Sequence, residues 1–226
     1  MIPFDLDAAE VRVLGCLAEK DLATPDYYPL SLHALTAACN QKTNRDPVVQ
    51  YTEADVHAAL HSLELKGWVQ SVLEPGSRVT KYCHCLVEQL ELRRPEQAVL
   101  TVLLLRGPQT AGELRARTER LYDFSDIDAV LNSLRRLAER EPAPLVRQLE
   151  RQPGMKENRW AHLLSGEPVQ LPAAAPPPAG HDRLSELETR LAALEELVRQ
   201  QAERLSWMED ALRRLATGGG KEDGER

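Results

Sequence analysis

Residues 52–86, TEADVHAALHSLELKGWVQSVLEPGSRVTKYCHCL, change period midway, and that change decides the fold. After Thr52, the side chains of Val56, Ala59, Leu60 and Leu63 recur at helical spacing. Gly67 then supplies the left-handed residue on which helices favour ending. WVQSVL and RVTKYCHCL follow as two extended runs around a turn at Pro75 and Gly76. Upstream, DAAEVRVLGCLAEK (7–20) sets Val11, Val13, Leu14 and Leu17 at roughly helical spacing behind a capping Asp7. SLHALTAAC (31–39) turns Leu32, Leu35 and Ala38 to one side. Three helices and a hairpin predict a winged-helix module.

The same order returns downstream. PEQAVLTVLLLR (95–106) reads as a helix, and Thr110-Ala-Gly-Glu113 is a capping box that opens a second. Ser125 with Asp128 is expected to cap a third, whose core positions are Ile127, Val130, Leu131 and Leu134. LVRQLE and RWAHLL flank a further turn at Pro153 and Gly154. Val56, Leu60 and Leu63 match Ile127, Leu131 and Leu134 at a constant offset of 71. The expectation is a mainly α protein with small β wings, an α+β class, built as two tandem winged-helix domains over residues 1–87 and 88–168.

Composition then shifts. LPAAAPPPAG marks a Pro/Ala-rich linker over residues 169–182, too stiff and too poor in large apolar side chains to form a core. A heptad occupies 183–216, with position a at Leu184, Leu191, Val198, Leu205 and Leu212. Position d holds Leu187, Leu194, Gln201, Met208 and Leu215, Gln201 being the polar break. In a parallel pair Arg190 would meet Glu195 and Arg204 would meet Glu209, which favours a homodimeric coiled coil. The alternative is one amphipathic helix folded back on the domains. Residues 217–226 read as a disordered tail, and its GGGK lacks the following Ser/Thr and the preceding strand of a phosphate loop.

Bulk properties narrow the function classes. The 226 residues are 42% hydrophobic, enough for real cores, and carry a net charge of −7. Residues 1–87 hold 7 Lys/Arg against 11 Asp/Glu, residues 88–170 hold 13 of each, and residues 171–226 hold 8 against 11. No region is a basic domain, so any nucleic-acid contact must come from local patches. No apolar run approaches 18 residues and the N-terminus is acidic, so the expectation is a cytoplasmic protein with no membrane partner. Cys16, Cys39, Cys83 and Cys85 read as reduced thiols.

With the two modules laid out, the sequence resembles the YceH family of bacterial proteins with two winged-helix domains. The residues that carry the likeness are YPLSLHALTAACNQKTNRDPVVQYTEADVHAAL (28–60), GPQTAGELRARTERLYDF (107–124) and QPGMKENRWAHLL (152–164). They fall across most of residues 7–164. The resemblance implies the fold and brings no established activity with it.

Three places carry candidate function. On the third helix, about 100° of rotation per residue leaves Ala54, His57, Ala58, His61 and Leu65 opposite the core stripe, with Glu53 and Asp55 in the first turn. That weakly polar face suits a protein partner better than phosphate, or is a solvated surface. The same rotation in the second domain exposes Ser125, Asp128, Ala129, Asn132, Ser133, Arg136 and Arg140. Asn132 and Arg136 are residue types that bond adenine and guanine, and Arg147, Arg151, Lys156 and Arg159 on the wing are placed for phosphate. Set against this are Asp126, Asp128 and the domain's zero net charge.

The third place is the long connection between Cys39 and Thr52, rich in Asn40, Gln41, Lys42, Asn44 and Arg45. It either satisfies its own backbone, with Asp46 pairing Arg45 or Lys42, or anchors phosphate or an acidic partner. Cys83-His84-Cys85 is not a zinc site on a strand, because the two thiols face one side and the imidazole the other; buried thiols are expected. No catalytic constellation, metal site or cofactor is expected. The reading is a non-enzymatic protein that binds duplex DNA or acts in transcription-type regulation, through Asn132, Arg136 and the second wing. Its rival is a protein-interaction adaptor.

Overall fold

Asp7 starts the first helix, α1 (Ala8–Ala23). In the computed structural model, which describes residues 4–73, 76, 79–151, 155, 157–166 and 199, its carboxylate accepts the backbone N–H of Ala9 and Glu10 at 2.8 and 2.9 Å. Glu10 returns the bond to the Asp7 N–H at 2.7 Å, closing a capping box. The chain divides into two compact units, Met1–Ala173 and Ala174–Arg226, and every element described below belongs to the first. The linker, the tail, Lys156 and the heptad residues Leu184 to Leu215 lie outside the described residues.

Among the described residues the first unit is α+β, with seven α-helices and two small antiparallel sheets. α2 (Leu32–Cys39) starts at Ser31 and α3 (Glu53–Leu65) at Thr52, which forms a capping box with Asp55. β1 (Leu30–Ser31), β2 (Val69–Val72) and β3 (Lys81–His84) form one sheet in the order β1-β3-β2, with Val69 opposite His84 and Val72 opposite Lys81. β1 was not anticipated, since two residues carry no period. α4 (Leu86–Leu90) follows, then α5 (Arg94–Arg106) and α6 (Ala111–Thr118), the latter capped by the Thr110–Glu113 box. α7 (Ile127–Ala138) leads into β4 (Val146–Gln148) and β5 (Trp160–His162), where Val146 faces His162. No helix among the described residues is long and apolar enough to cross a membrane.

The start of α7 differs from the expectation. Asp126, not Ser125, is its N-cap, accepting the Ala129 N–H at 2.8 Å, while the Ser125 hydroxyl donates to Asp126 at 3.0 Å. Ile127 stands 46% exposed and Leu131 is half-buried; the buried stripe is Val130, Ser133, Leu134 and Leu137. Ser133 is therefore in the core, its hydroxyl donating to the Ala129 carbonyl at 3.1 Å, and not on the outer face. The correct offset between α3 and α7 is 74, pairing the caps Thr52 and Asp126 as well as Val56 with Val130, Leu60 with Leu134 and Leu63 with Leu137. Offsets of 71 and 74 differ by three residues, close to one helical turn, so apolar spacing alone does not separate them.

Both halves share one core. α1 and α5 are buried on almost every side, from Glu10 to Ala18 and from Glu96 to Leu105. Gly15 lets them approach: a Cβ there would lie 2.9 Å from Leu105 Cδ2 and 3.1 Å from Leu104 Cβ. Two buried carboxylates in this region are matched. Glu10 takes Lys66 at 2.9 Å and Glu96 takes Arg136 at 2.9 Å, as burial of a charge requires. The N-terminal segment closes the unit, with the Leu6 N–H donating to the Leu164 carbonyl at 2.9 Å and Phe4 6.3 Å from Trp68, ring to ring.

Candidate interaction surfaces

Alternation of the α3 core stripe with solvent positions places Ala54, His57, Ala58, His61 and Leu65 all on the exposed side, Leu65 at 78%. Glu53 Oε1 accepts from His33 Nδ1 of α2 at 2.9 Å, and the first turn of α3 is acidic. The hairpin after α3 adds exposed apolar side chains, Leu73 at 63% and Val79 at 54%. No Lys or Arg lies on the outer face of α3, and this half presents small, apolar and weakly polar groups.

In the second half the expected cations divide into two sets. Arg136 is held by the buried Glu96, and Arg140 donates to the Leu90 carbonyl at the end of α4. Arg159 donates to the Pro108 carbonyl at 2.8 Å and pairs with Glu113 at 3.1 Å. Burial alone would raise Glu113, but the Thr110 N–H and the charges of Arg159 and Arg117 outweigh it and hold the carboxyl below its ordinary range. These three arginines are used in holding the fold. Arg147 and Arg151 are exposed on the hairpin, and Asn132 is exposed on α7. The corrected register adds Arg135, which the sequence reading missed: it is the counterpart of His61, it is exposed, and it donates to Asn132 Oδ1 at 2.7 Å.

The long polar connection spends most of its groups internally. Asn40 clamps the far end, its amide oxygen accepting the Tyr51 N–H at 2.7 Å and its amide nitrogen donating to the Tyr51 carbonyl at 2.8 Å. Arg45 is buried, with both terminal nitrogens on Glu19 at 3.0 and 2.6 Å and a third contact to Gln41 at 3.1 Å. Arg45 thus pairs with Glu19 of α1 and not with Asp46. Asn44 adopts φ 58°, a left-handed conformation Asn tolerates, and accepts from Arg106 at 3.1 Å. The Asp46 N–H donates to the Leu105 carbonyl at 3.0 Å. The connection therefore ties α1 and α2 to the end of α5; of its two candidate cations Arg45 is buried and Lys42 is exposed.

The Cys83-His84-Cys85 run also resolves differently from the expectation. Tyr82 and His84 are the inward side chains of β3; Cys83 is half-buried, its thiol 3.6 Å from the Gln70 carbonyl. Cys85 is buried beyond the strand, at the start of α4. Among the described residues no three His, Cys, Asp or Glu side chains converge as a metal site. His84 instead meets Asp21, Nε2 to Oδ2 at 3.3 Å, a partner 63 residues away that no local spacing signals.

The family described as "Protein of unknown function, DUF480" matches residues 6–155. The UPF0502 protein of Geobacter metallireducens is 55% identical over 195 residues, covering 85% of this chain and 88% of the relative. A UPF0502 protein of Solibacter usitatus is 52% identical, with 86% and 92% covered. One from Chromobacterium violaceum is 50% identical, with 89% and 92% covered.

Proposed function

The chain belongs to the DUF480/UPF0502 family, and from that premise and the surfaces above we propose that it is a non-enzymatic docking protein built of two winged helices in tandem. The YceH-like arrangement is supported by the recurrence of three helices and an antiparallel strand pair in each half, with α3 and α7 in matching register. A winged helix that reads DNA lays its third helix in the major groove. Here both third helices open with carboxylates, Glu53 and Asp55 in α3 and Asp126 and Asp128 in α7.

The observation that carries the docking reading is the outward face of α3: Ala54, His57, Ala58, His61 and Leu65, without a Lys or Arg and with Leu65 78% exposed. Such a face is suited to a protein surface and unsuited to phosphate. Affinity capture compared between the unmodified protein and Leu65→Glu tests it. A partner retained by the first and lost by the second is expected; equal recovery by both removes the reading.

A specific observation keeps DNA as the second reading: Asn132, Arg135, Arg147 and Arg151 are exposed in the second half. Binding to mixed duplex DNA across a salt series, followed by fluorescence anisotropy, should then show a steep negative slope that Arg147→Ala with Arg151→Ala flattens. An unchanged slope overturns it. Self-association through the heptad at Leu184 to Leu215 belongs to the same proposal, and is tested by the mass in solution of the full chain against one ending at residue 170.

A further inference from the structure

Away from both interaction faces, a cavity of about 500 Å³ opens between the end of α1, β3, α4 and the start of α5. Its polar lining is Asp21, Tyr28, His84, Glu88, Arg94 and Gln97. Leu22, Pro25, Val87 and Leu92 supply an apolar wall. The volume falls in the range of sites that take small molecules.

Hydrogen bonding shows which groups are spent and which are free. His84 and Gln97 are buried, at 8% and 4% exposure. The Leu86 N–H donates to His84 Nδ1 at 3.2 Å, so the neutral ring carries its proton on Nε2 and donates it to Asp21 Oδ2. Gln97 donates to the same oxygen at 2.9 Å. Asp21 Oδ1 accepts nothing from the described residues, and the side chain is 34% exposed. The His84 hydrogen bond, with help from Gln97 and the charge of Arg94, holds the Asp21 carboxyl below its ordinary range against the effect of burial. Tyr28 accepts the His84 N–H at 2.6 Å, which leaves its own hydroxyl proton to donate. Arg94 is exposed and has no ion pair among the described residues, and Glu88 is likewise exposed.

These groups select a ligand class. A simple anion would meet two carboxylates, Asp21 and Glu88. A metal ion would find one free oxygen on Asp21 and a His84 nitrogen whose proton is already committed. A simple cation would leave Arg94 without a counter-charge. A ligand with both charges satisfies both ends, and the apolar wall receives what lies between. We propose that this cavity binds a small zwitterion, an α-amino acid with an apolar side chain. Its ammonium sits on Asp21 Oδ1 and Glu88, its carboxylate on Arg94, and its side chain against Leu22, Val87 and Leu92. Asp21 belongs to α1, His84 to β3, and Arg94 and Gln97 to α5, so such a ligand bridges the two halves. The proposal stands independently of the docking and DNA readings.

Calorimetric titration of the full chain with L-leucine and L-phenylalanine is the test, with isopentylamine and 4-methylpentanoate as probes that lack one charge each. Saturable binding of at least one amino acid is expected, with each single-charge probe at least about tenfold weaker than L-leucine, as loss of a charged hydrogen bond implies. Arg94→Ala should erase the preference for L-leucine over isopentylamine, and Asp21→Asn the preference over 4-methylpentanoate. Arg94 is exposed and has no side-chain hydrogen bond or ion pair among the described residues, so its variant reports even if Asp21→Asn fails to fold. No saturable binding of either amino acid at millimolar concentration, isopentylamine binding as tightly as L-leucine, or an Arg94→Ala variant with undiminished discrimination would each overturn the proposal.

Discussion

α3 and α7 bury equivalent stripes, Val56, Ala59, Leu60 and Leu63 in one and Val130, Ser133, Leu134 and Leu137 in the other, yet expose different chemistry. The first shows Ala54, His57, Ala58, His61 and Leu65; the second shows Asp128, Asn132 and Arg135. The halves differ as well in how the second helix reaches the third. Residues 40–51 are a braced connection threaded by Arg12 and Arg45, whereas α6 passes to α7 through a few residues around Tyr122 and Phe124. The lesson is that a buried stripe is constrained by packing on every side, while outward faces and connections answer only to solvent, neighbours or partners. Here matching buried stripes carry different exposed chemistry.

The largest test of that contrast is on the brace. Glu19→Ala leaves the Arg45 guanidinium buried without its counter-charge, and should cost about 3–5 kcal/mol in denaturant unfolding. A loss below about 1 kcal/mol would mean that the connection relaxes and lets Arg45 reach water.

Next in size is a contrast between the hairpins, which place histidines at matching positions. His84 faces Val69 and has partners on both ring nitrogens; His162 faces Val146 and its Nδ1 has none. Burial pushes the His162 imidazole down to about 4 from 6.5. A depressed histidine favours the folded state fully above its unfolded pKa, because the unfolded chain alone gains the proton as pH falls. Stability should therefore decline from about pH 6.5 to about pH 4, by up to ~3 kcal/mol from this group, since one pKa unit is worth about 1.4 kcal/mol. His162→Gln should flatten the decline; an identical pH profile would place the sensitivity elsewhere.

Smaller effects sharpen the corrected register of α7. Arg136→Ala strips the buried Glu96 of its cation and should cost about 1–2 kcal/mol, while Arg135→Ala on the outer face should stay within about 0.5 kcal/mol. Reversal of that order in thermal unfolding would restore the earlier register. Finally, Asp126→Ala should lower the unfolding midpoint by removing the cap, and Ser125→Ala should leave it unchanged.

Much of the fold was legible because it rests on local chemistry. Asp7, Ser31, Thr52 and Thr110 each mark a helix start by a side-chain bond to a backbone N–H within three residues. The first strand pair followed from a change of period and the second from two runs flanking a Pro-Gly turn. The α7 register escaped because a shift of three residues nearly preserves a helical apolar pattern, and the nearby Ser125 was as good a cap by type as Asp126. The candidate site was less legible. Arg136, Arg140 and Arg159 are cations by sequence, but whether each faces solvent depends on Glu96, the Leu90 carbonyl and Glu113, partners 40, 50 and 46 residues away.

The sequence by itself determined where most helices and the two hairpins begin, α7 and β1 excepted, which stripes are apolar, and that charge is distributed without a basic domain. Those properties arise from interactions spanning a few residues, so they can be read along the chain. Only the tertiary structure decided that α1 and α5 share one core, that the polar connection is a brace on Glu19 and Leu105, and that His84 meets Asp21 beside a cavity. Each of these depends on residues brought together from distant positions, where burial and pairing set the worth of a charge and no local period records the partner.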